Sequence, residues 1–237
     1  MRALRRALPV LAGLALAVFA VLARPIVRTP AFHHYADART WLGIPHAGDV
    51  LSNLPFVVVA ALTAFRLRGA YLACAGVALI GVGSAAYHAS PSDTTLAFDW
   101  LPIVLALAWI TAAVVADRHG ARAGHIALVV GSLAALASVA IWYLGGGTTG
   151  GGDMTAYVAV QLAGVALPVL VALSAPGRIS ARLLALALVG FSLARLFAAR
   201  DAQLLAALGI SGHSLKHIAA ALAAAIALRA VAQNARP

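Results

Sequence analysis

Apolar residues in this chain gather into eight runs, at about 7–23, 49–66, 69–88, 95–115, 123–143, 156–173, 180–198 and 211–232. A helix needs roughly 20 apolar residues to cross a bilayer core. In lipid every backbone amide must find its partner within the protein, which leaves helices and closed barrels as the spanning structures. Runs of this length, rich in Ala, Leu and Val with scattered Gly, predict helices that pack through small residues. Only 10% of the residues are charged, against roughly 25% in a soluble domain, so the surrounding solvent is mostly lipid. The expected fold is an all-α membrane protein: a seven-helix bundle preceded by one extra hydrophobic helix. The longest connector, Arg24 to Gly48, is too short for a soluble domain. The tract "LGGGTTGGGD" (Leu144 to Asp153) reads as a flexible turn. No internal repeat stands out.

The first run, within "MRALRRALPVLAGLALAVFAVLARP", has a basic start, an apolar middle and small residues near Ala23. A secretory signal peptide has the same layout. Seven further runs follow that insert without an export signal, so residues 1–28 are expected to be a retained extra helix or signal-like segment before a core of residues 29–237.

The formal charge is +10, with seven acidic residues, all Asp. In a soluble protein that excess would point to nucleic acid. Here the arginines lie between apolar runs, the pattern of a membrane protein with positive cytoplasmic loops, and nucleic-acid binding is not expected. One set of helix ends holds Arg2, Arg5, Arg6, Arg66, Arg68, Arg118, Arg122, Arg178, Arg182, Arg229 and Arg236, and the other holds Arg24, Arg28, Arg39 and Arg200. Eleven against four assigns the first set, and both termini, to the cytoplasm. The lone cysteine, Cys74, excludes an internal disulfide and reads as a small core residue.

On that layout the polar residues converge. Asp49, Ser52 and Asn53 open the second run, Ser84 and His88 close the third, Asp99 opens the fourth, and His213 and His217 open the eighth. Adjacent helices run in opposite directions, so all of these residues fall at the non-cytoplasmic ends. Ionisable groups inside spans are rare and face a bundle interior or a wet cavity. His213 and His217 share a helical face, and His88 offers a third imidazole from another helix. Three imidazoles suit zinc, with a fourth position left for water as in catalytic sites. Zinc lowers the pKa of its water to about 7. A nearby Asp can take the proton, and Ser84, one turn before His88, can donate to a developing oxyanion.

Each residue also has a plainer role. An H-x-x-x-H pair at a helix start suits the lipid–water boundary, as do Trp41, Tyr87, Trp100 and Trp142 in the role of interfacial anchors. Asp49 and Asp99 suit helix N-termini. Ser52, Asn53 and Ser84 suit contacts between helices.

The set Ser52-Asn53, Ser84-x-x-x-His88, Asp99 and His213-x-x-x-His217 resembles the alkaline ceramidase family, part of a wider group of seven-helix membrane hydrolases that includes the adiponectin receptors. "GVGSAAYHAS…FDWLP" and "ISGHSLKH" are most similar to its bacterial phytoceramidase-like branch, and the similarity runs from about Tyr35 to Leu228. The resemblance implies a zinc amidase, expected as a multi-pass protein of a bacterial inner membrane, and the arginine count puts its site toward the periplasmic or outer face. It would cleave ceramide-like lipids to a fatty acid and a sphingoid base. His88, His213 and His217 would be metal ligands, Asp99 would orient or deprotonate the water, and Ser84 would assist the water or the oxyanion. Eukaryotic members carry an acidic calcium-binding cluster before the first core helix. Here "HHYADARTWLGIPHAGD" offers only Asp37 and Asp49, and calcium prefers several oxygen ligands, so calcium is not expected.

Two other classes compete. "GISG" (Gly209 to Gly212) matches the G-x-S-G of rhomboid proteases, but no later helix follows to supply the base that a serine nucleophile needs. A lipid-binding receptor or structural metal protein on the same fold is the non-catalytic alternative, since fold does not fix function.

Overall fold

The structure, a computed structural model, describes residues 2–66 and 70–232. Arg68 and Arg236, both counted in the charge asymmetry, lie outside them. Ten α-helices are described. They are α1 (Arg2–Leu22), α2 (Ala47–Leu51), α3 (Leu54–Arg66), α4 (Tyr71–Ala89), α5 (Asp93–His119), α6 (Ala121–Leu144), α7 (Thr155–Ser174), α8 (Ala181–Ala199), α9 (Asp201–Leu208) and α10 (Gly212–Ala232). No strand occurs among the described residues, only the isolated bridges Val27–Asp153 and Trp41–Ile44.

Seven segments are long and apolar enough to cross a bilayer: α2 with α3, then α4, α5, α6, α7, α8 and α10. The chain is therefore an all-α, multi-pass membrane bundle. The extra N-terminal helix forms and packs along α7. It is 21 residues long, with the apolar stretch Pro9–Ala20 inside it. Its far end is fastened to the start of α7: Met154 N donates to Ile26 O, and Ile26 N donates to the side chains of Asp153 and Thr155.

The first span is broken at Ser52–Asn53, and the sequence supplies the reason. Pro55 has no N–H to continue the α ladder. The Asn53 amide turns to Val50 O instead, at 3.2 Å. The Asp49 carbonyl that it leaves accepts the Asn53 amide side chain at 2.8 Å and the Ser52 hydroxyl at 3.0 Å. The break thereby points two polar side chains into the bundle.

α5 begins earlier than the apolar run implies. Ser92 caps it, its hydroxyl accepting from Thr95 N while Thr95 Oγ1 accepts from Ser92 N. Asp99 consequently sits well inside the helix, buried, and caps nothing. The glycine tract after α6 is a turn, but it is pinned: Thr148 is buried and donates to Asp93 through its amide and its hydroxyl. At the opposite end of the bundle Arg118 pairs with Asp117 and donates to Ala172 O and Ile179 O, closing the turn between α7 and α8.

Candidate metal centre

The histidines come from two helices whose ends are fixed locally. Ser211 caps α10, its hydroxyl accepting from Ser214 N at 2.8 Å. That hydroxyl donates onward to Asp49 Oδ1, as does Ser214, so the start of α10 is bound to α2. The His213 amide donates to Asp201 Oδ1 at 2.9 Å. Gly212 permits this close seat, since a Cβ there would collide with Phe197 O and the Asp201 backbone. His213 and His217 then lie one turn apart on the face toward His88, the last turn of α4.

The three rings stand mutually edge-on, with centroids 4.7, 5.0 and 4.8 Å apart. One nitrogen from each lies within 4.8 Å of the others, and His88 and His217 are buried. His88 Nε2 and His213 Nε2 are 3.2 Å apart. Two nitrogens held tetrahedrally on one zinc would stand about 3.3 Å apart, given Zn–N near 2.0–2.1 Å. The donor set, and the spacing of this pair, therefore fit a small divalent ion favouring nitrogen. The group can hold a metal.

Ser52 sets the tautomer of His217. Its single proton goes to Asp49 O, so at 2.8 Å from His217 Nδ1 it accepts the ring N–H. Nε2 is left with its lone pair toward the other two rings, the usual arrangement of an outer partner behind a ligating imidazole. Tyr35 closes the other side. Its ring meets His88 and His213 edge-on at 4.6 and 4.4 Å. Burial, and then the neighbouring Tyr87, push the Tyr35 phenol well above its ordinary pKa. It stays protonated and donates to Tyr87 at 2.9 Å. Tyr87 continues to His33, and His33 to Asp93. The segment before the first span is thus fastened over the histidines.

Ser84 and Asp99 complete the polar end. Gly83 lets α4 and α5 approach so closely that a Cβ would strike Phe98 O. Ser84 and Asp99 are brought side by side, both buried. Ser84 Oγ lies 3.4 Å from His217 Nε2. A cavity of about 720 Å³ opens from these residues between α5, α7, α8 and α10. Its far lining, including Ile110, Val169, Leu184 and Ala227, is apolar. From His213 to Ala227 it follows α10 for about 20 Å at 1.5 Å per residue. Trp100 stacks on Tyr157 at 4.4 Å to form part of the wall.

The other expected residues fall as follows. Asn53 and Asp49 support the histidines from behind. His46 turns to Asp37 O at 3.0 Å and stands outside the group of three. Tyr87, Trp100 and Trp142 are core residues, 1%, 6% and 0% exposed. They are not the interfacial anchors that their place near helix ends suggests, because α4, α5 and α6 pack together there. Trp41 is exposed. Ser211 of G-x-S-G is a helix cap whose hydroxyl accepts from Ser214 N and donates to Asp49. Arg39 grips Asp37 through two bonds of 2.7 Å and holds its carboxyl below the usual carboxylate range.

Sequence reasoning missed Tyr35 as a clamp and gave Lys216 and Arg195 no role. All three line the cavity. A cation inside an apolar run was the available signal for both Lys216 and Arg195. Comparison with protein-family models, with curated proteins and with solved structures finds no match to this chain.

Proposed function

We propose that this protein is an integral-membrane, zinc-dependent hydrolase that cleaves the N-acyl amide bond of ceramide-like lipids, giving a fatty acid and a sphingoid base. The observation that carries the reading is a three-imidazole group at the polar head of a long apolar cavity, with a buried carboxylate in the same wall. The resemblance to alkaline ceramidases rests on the same residues. When bound, zinc with three protein ligands supplies a Lewis acid and a water activated near neutral pH.

The chain's own groups do the rest. The apolar cavity takes the acyl chain and leaves the amide beside the histidines. The Asp99 carboxylate accepts the proton of the attacking water and returns it to the amine nitrogen as the C–N bond breaks. The water oxygen ends in the carboxylic acid, and the amine leaves with its added hydrogen. The Ser84 hydroxyl donates to the carbonyl oxygen as that oxygen becomes negative. Ser52 keeps His217 in its ligating tautomer. The arginine-rich ends lie opposite the histidines, which supports a cytoplasmic position for those ends and for both termini. The site then faces the periplasmic side of a bacterial inner membrane.

The test is release of labelled fatty acid from a panel of ceramides by zinc-loaded protein in detergent, beside His217→Ala. The wild type is expected to turn over at least one ceramide, and the variant, lacking one of three metal ligands, to lose most of its turnover. Wild type that binds zinc yet leaves every ceramide intact would sink the enzyme reading and favour a lipid-binding role.

A further inference from the structure

Among the described residues, two cations in the cavity wall form no salt bridge with a carboxylate. Lys216 follows His213 by three residues on α10 and directly precedes His217. Its Nζ lies 3.1 Å from His213 Nε2, its one hydrogen bond among the described residues. That acceptor is the lone pair a metal ion would take. With an ion bound, the ammonium faces a dication and has lost its partner. Arg195 projects from α8 into the same cavity and makes no hydrogen bond or ion pair with any described residue.

The nearby carboxylates do not resolve this. Asp49 Oδ1 accepts from Ser211 and Ser214. Asp201 accepts from the backbone amides of His213 and Ala36. Asp99 faces Ser84. A bound dication, Lys216 and Arg195 together outweigh Asp49, Asp99 and Asp201. Cations within a span are costly unless they are paired or face water; Lys216 faces the space a ligand would enter, and Arg195 lines the same space from an exposed position. A neutral ceramide head group brings hydroxyls but no anionic oxygen.

We infer that the lipid amide recognised at this site carries an anionic group within a few bonds of the amide, held by Lys216 beside the histidines and by Arg195 across the cavity. The inference rests on the amidase reading and narrows its substrate class. A carboxylate on the carbon bonded to the amide nitrogen, as in an N-acyl amino acid, reaches Lys216 while the carbonyl lies at the histidines. A phosphate on a sphingoid head group offers the same anionic oxygens a few bonds farther out.

The experiment measures equilibrium binding of N-hexadecanoylglycine, its methyl ester, ceramide and ceramide 1-phosphate to metal-free and zinc-loaded protein in neutral detergent. Wild type, Lys216→Met and Arg195→Gln are compared, and hydrolysis is followed separately. Charge-assisted hydrogen bonds lead to an expected wild-type preference for acid over ester of roughly 10–100-fold. Each variant should shrink that ratio while leaving affinity for the ester nearly unchanged. Arg195 is exposed, so its variant keeps the test valid if Lys216→Met disturbs the histidines. The same ratio for ceramide 1-phosphate over ceramide would assign the group to a phosphate, and its restriction to the glycine amide would assign a carboxylate. Equal wild-type affinity for acid and ester, or a ratio that survives in both variants, overturns the inference. Anion preference without hydrolysis of any amide would keep the recognition and discard the amidase reading. Hydrolysis without anion preference would do the reverse.

Discussion

Single hydrogen bonds decide how the three imidazoles meet. Ser52 reaches His217 only because Pro55 breaks the first span and turns the Ser52 proton to Asp49 O. Asp99 and Ser84 touch the cavity without belonging to the histidine group, so metal binding and chemistry separate at the residue scale. Asp99→Asn keeps the size of the side chain but cannot accept a proton. It is expected to retain zinc while losing roughly 10²–10⁴ in turnover. Ser84→Ala should retain zinc and lose roughly 10²–10³. Zinc content and product release on the same samples check both, and near-normal turnover by Asp99→Asn would remove it from the mechanism. The histidines were legible because polar residues in apolar runs are conspicuous and helix direction assigns their depth. Tyr35 was not, since it lies in an irregular connector whose path depends on the His33–Asp93 and Tyr35–Tyr87 bonds. Arg195 was visible as an intramembrane charge, but nothing in its spacing tells a cavity-facing arginine from one reaching for head groups.

Among elements, small residues set the geometry. The approach of α4 to α5 at Gly83 brings Ser84 beside Asp99. Gly83→Ala forces a methyl against Phe98 O, and overpacking of this kind costs about 1–3 kcal/mol. The expected outcome is a lower thermal midpoint in detergent and reduced turnover. Gly13→Ala, where a Cβ meets nothing within 4 Å, should leave both unchanged. Equal midpoints for the two variants would refute this account of the α4–α5 contact. The run lengths anticipated the spanning helices closely, because lipid leaves the backbone few alternatives. Element ends were less legible. The apolar run hid the polar first turn of α5 that Ser92 caps, and the short α9 (Asp201–Leu208) merges in the sequence with the connector before α10. The glycine tract read as a free turn because its anchor, Asp93, lies far away in sequence.

At the scale of the whole molecule, the bundle has two unlike ends. One holds the histidines, the pinned connectors and the cavity head. The other holds Arg66, Arg118, Arg122, Arg178, Arg182 and Arg229. The charge rule assigns the second end to the cytoplasm. Tags on either terminus should then be protected from external protease in intact spheroplasts, and cleavage of a C-terminal tag from outside would reverse the orientation. The seven-helix frame was readable from hydropathy alone, whereas the cavity arises from packing among α5, α7, α8 and α10 that no local pattern encodes. The central claim, one metal centre built by His88, His213 and His217, is tested most directly by metal analysis of purified protein. About one zinc per chain is expected for the wild type, with a sharp loss in each of His88→Ala, His213→Ala and His217→Ala. Replacement of His33, His34, His46, His119 or His125 should leave the zinc in place, and full zinc retained by all three ligand variants would contradict the account.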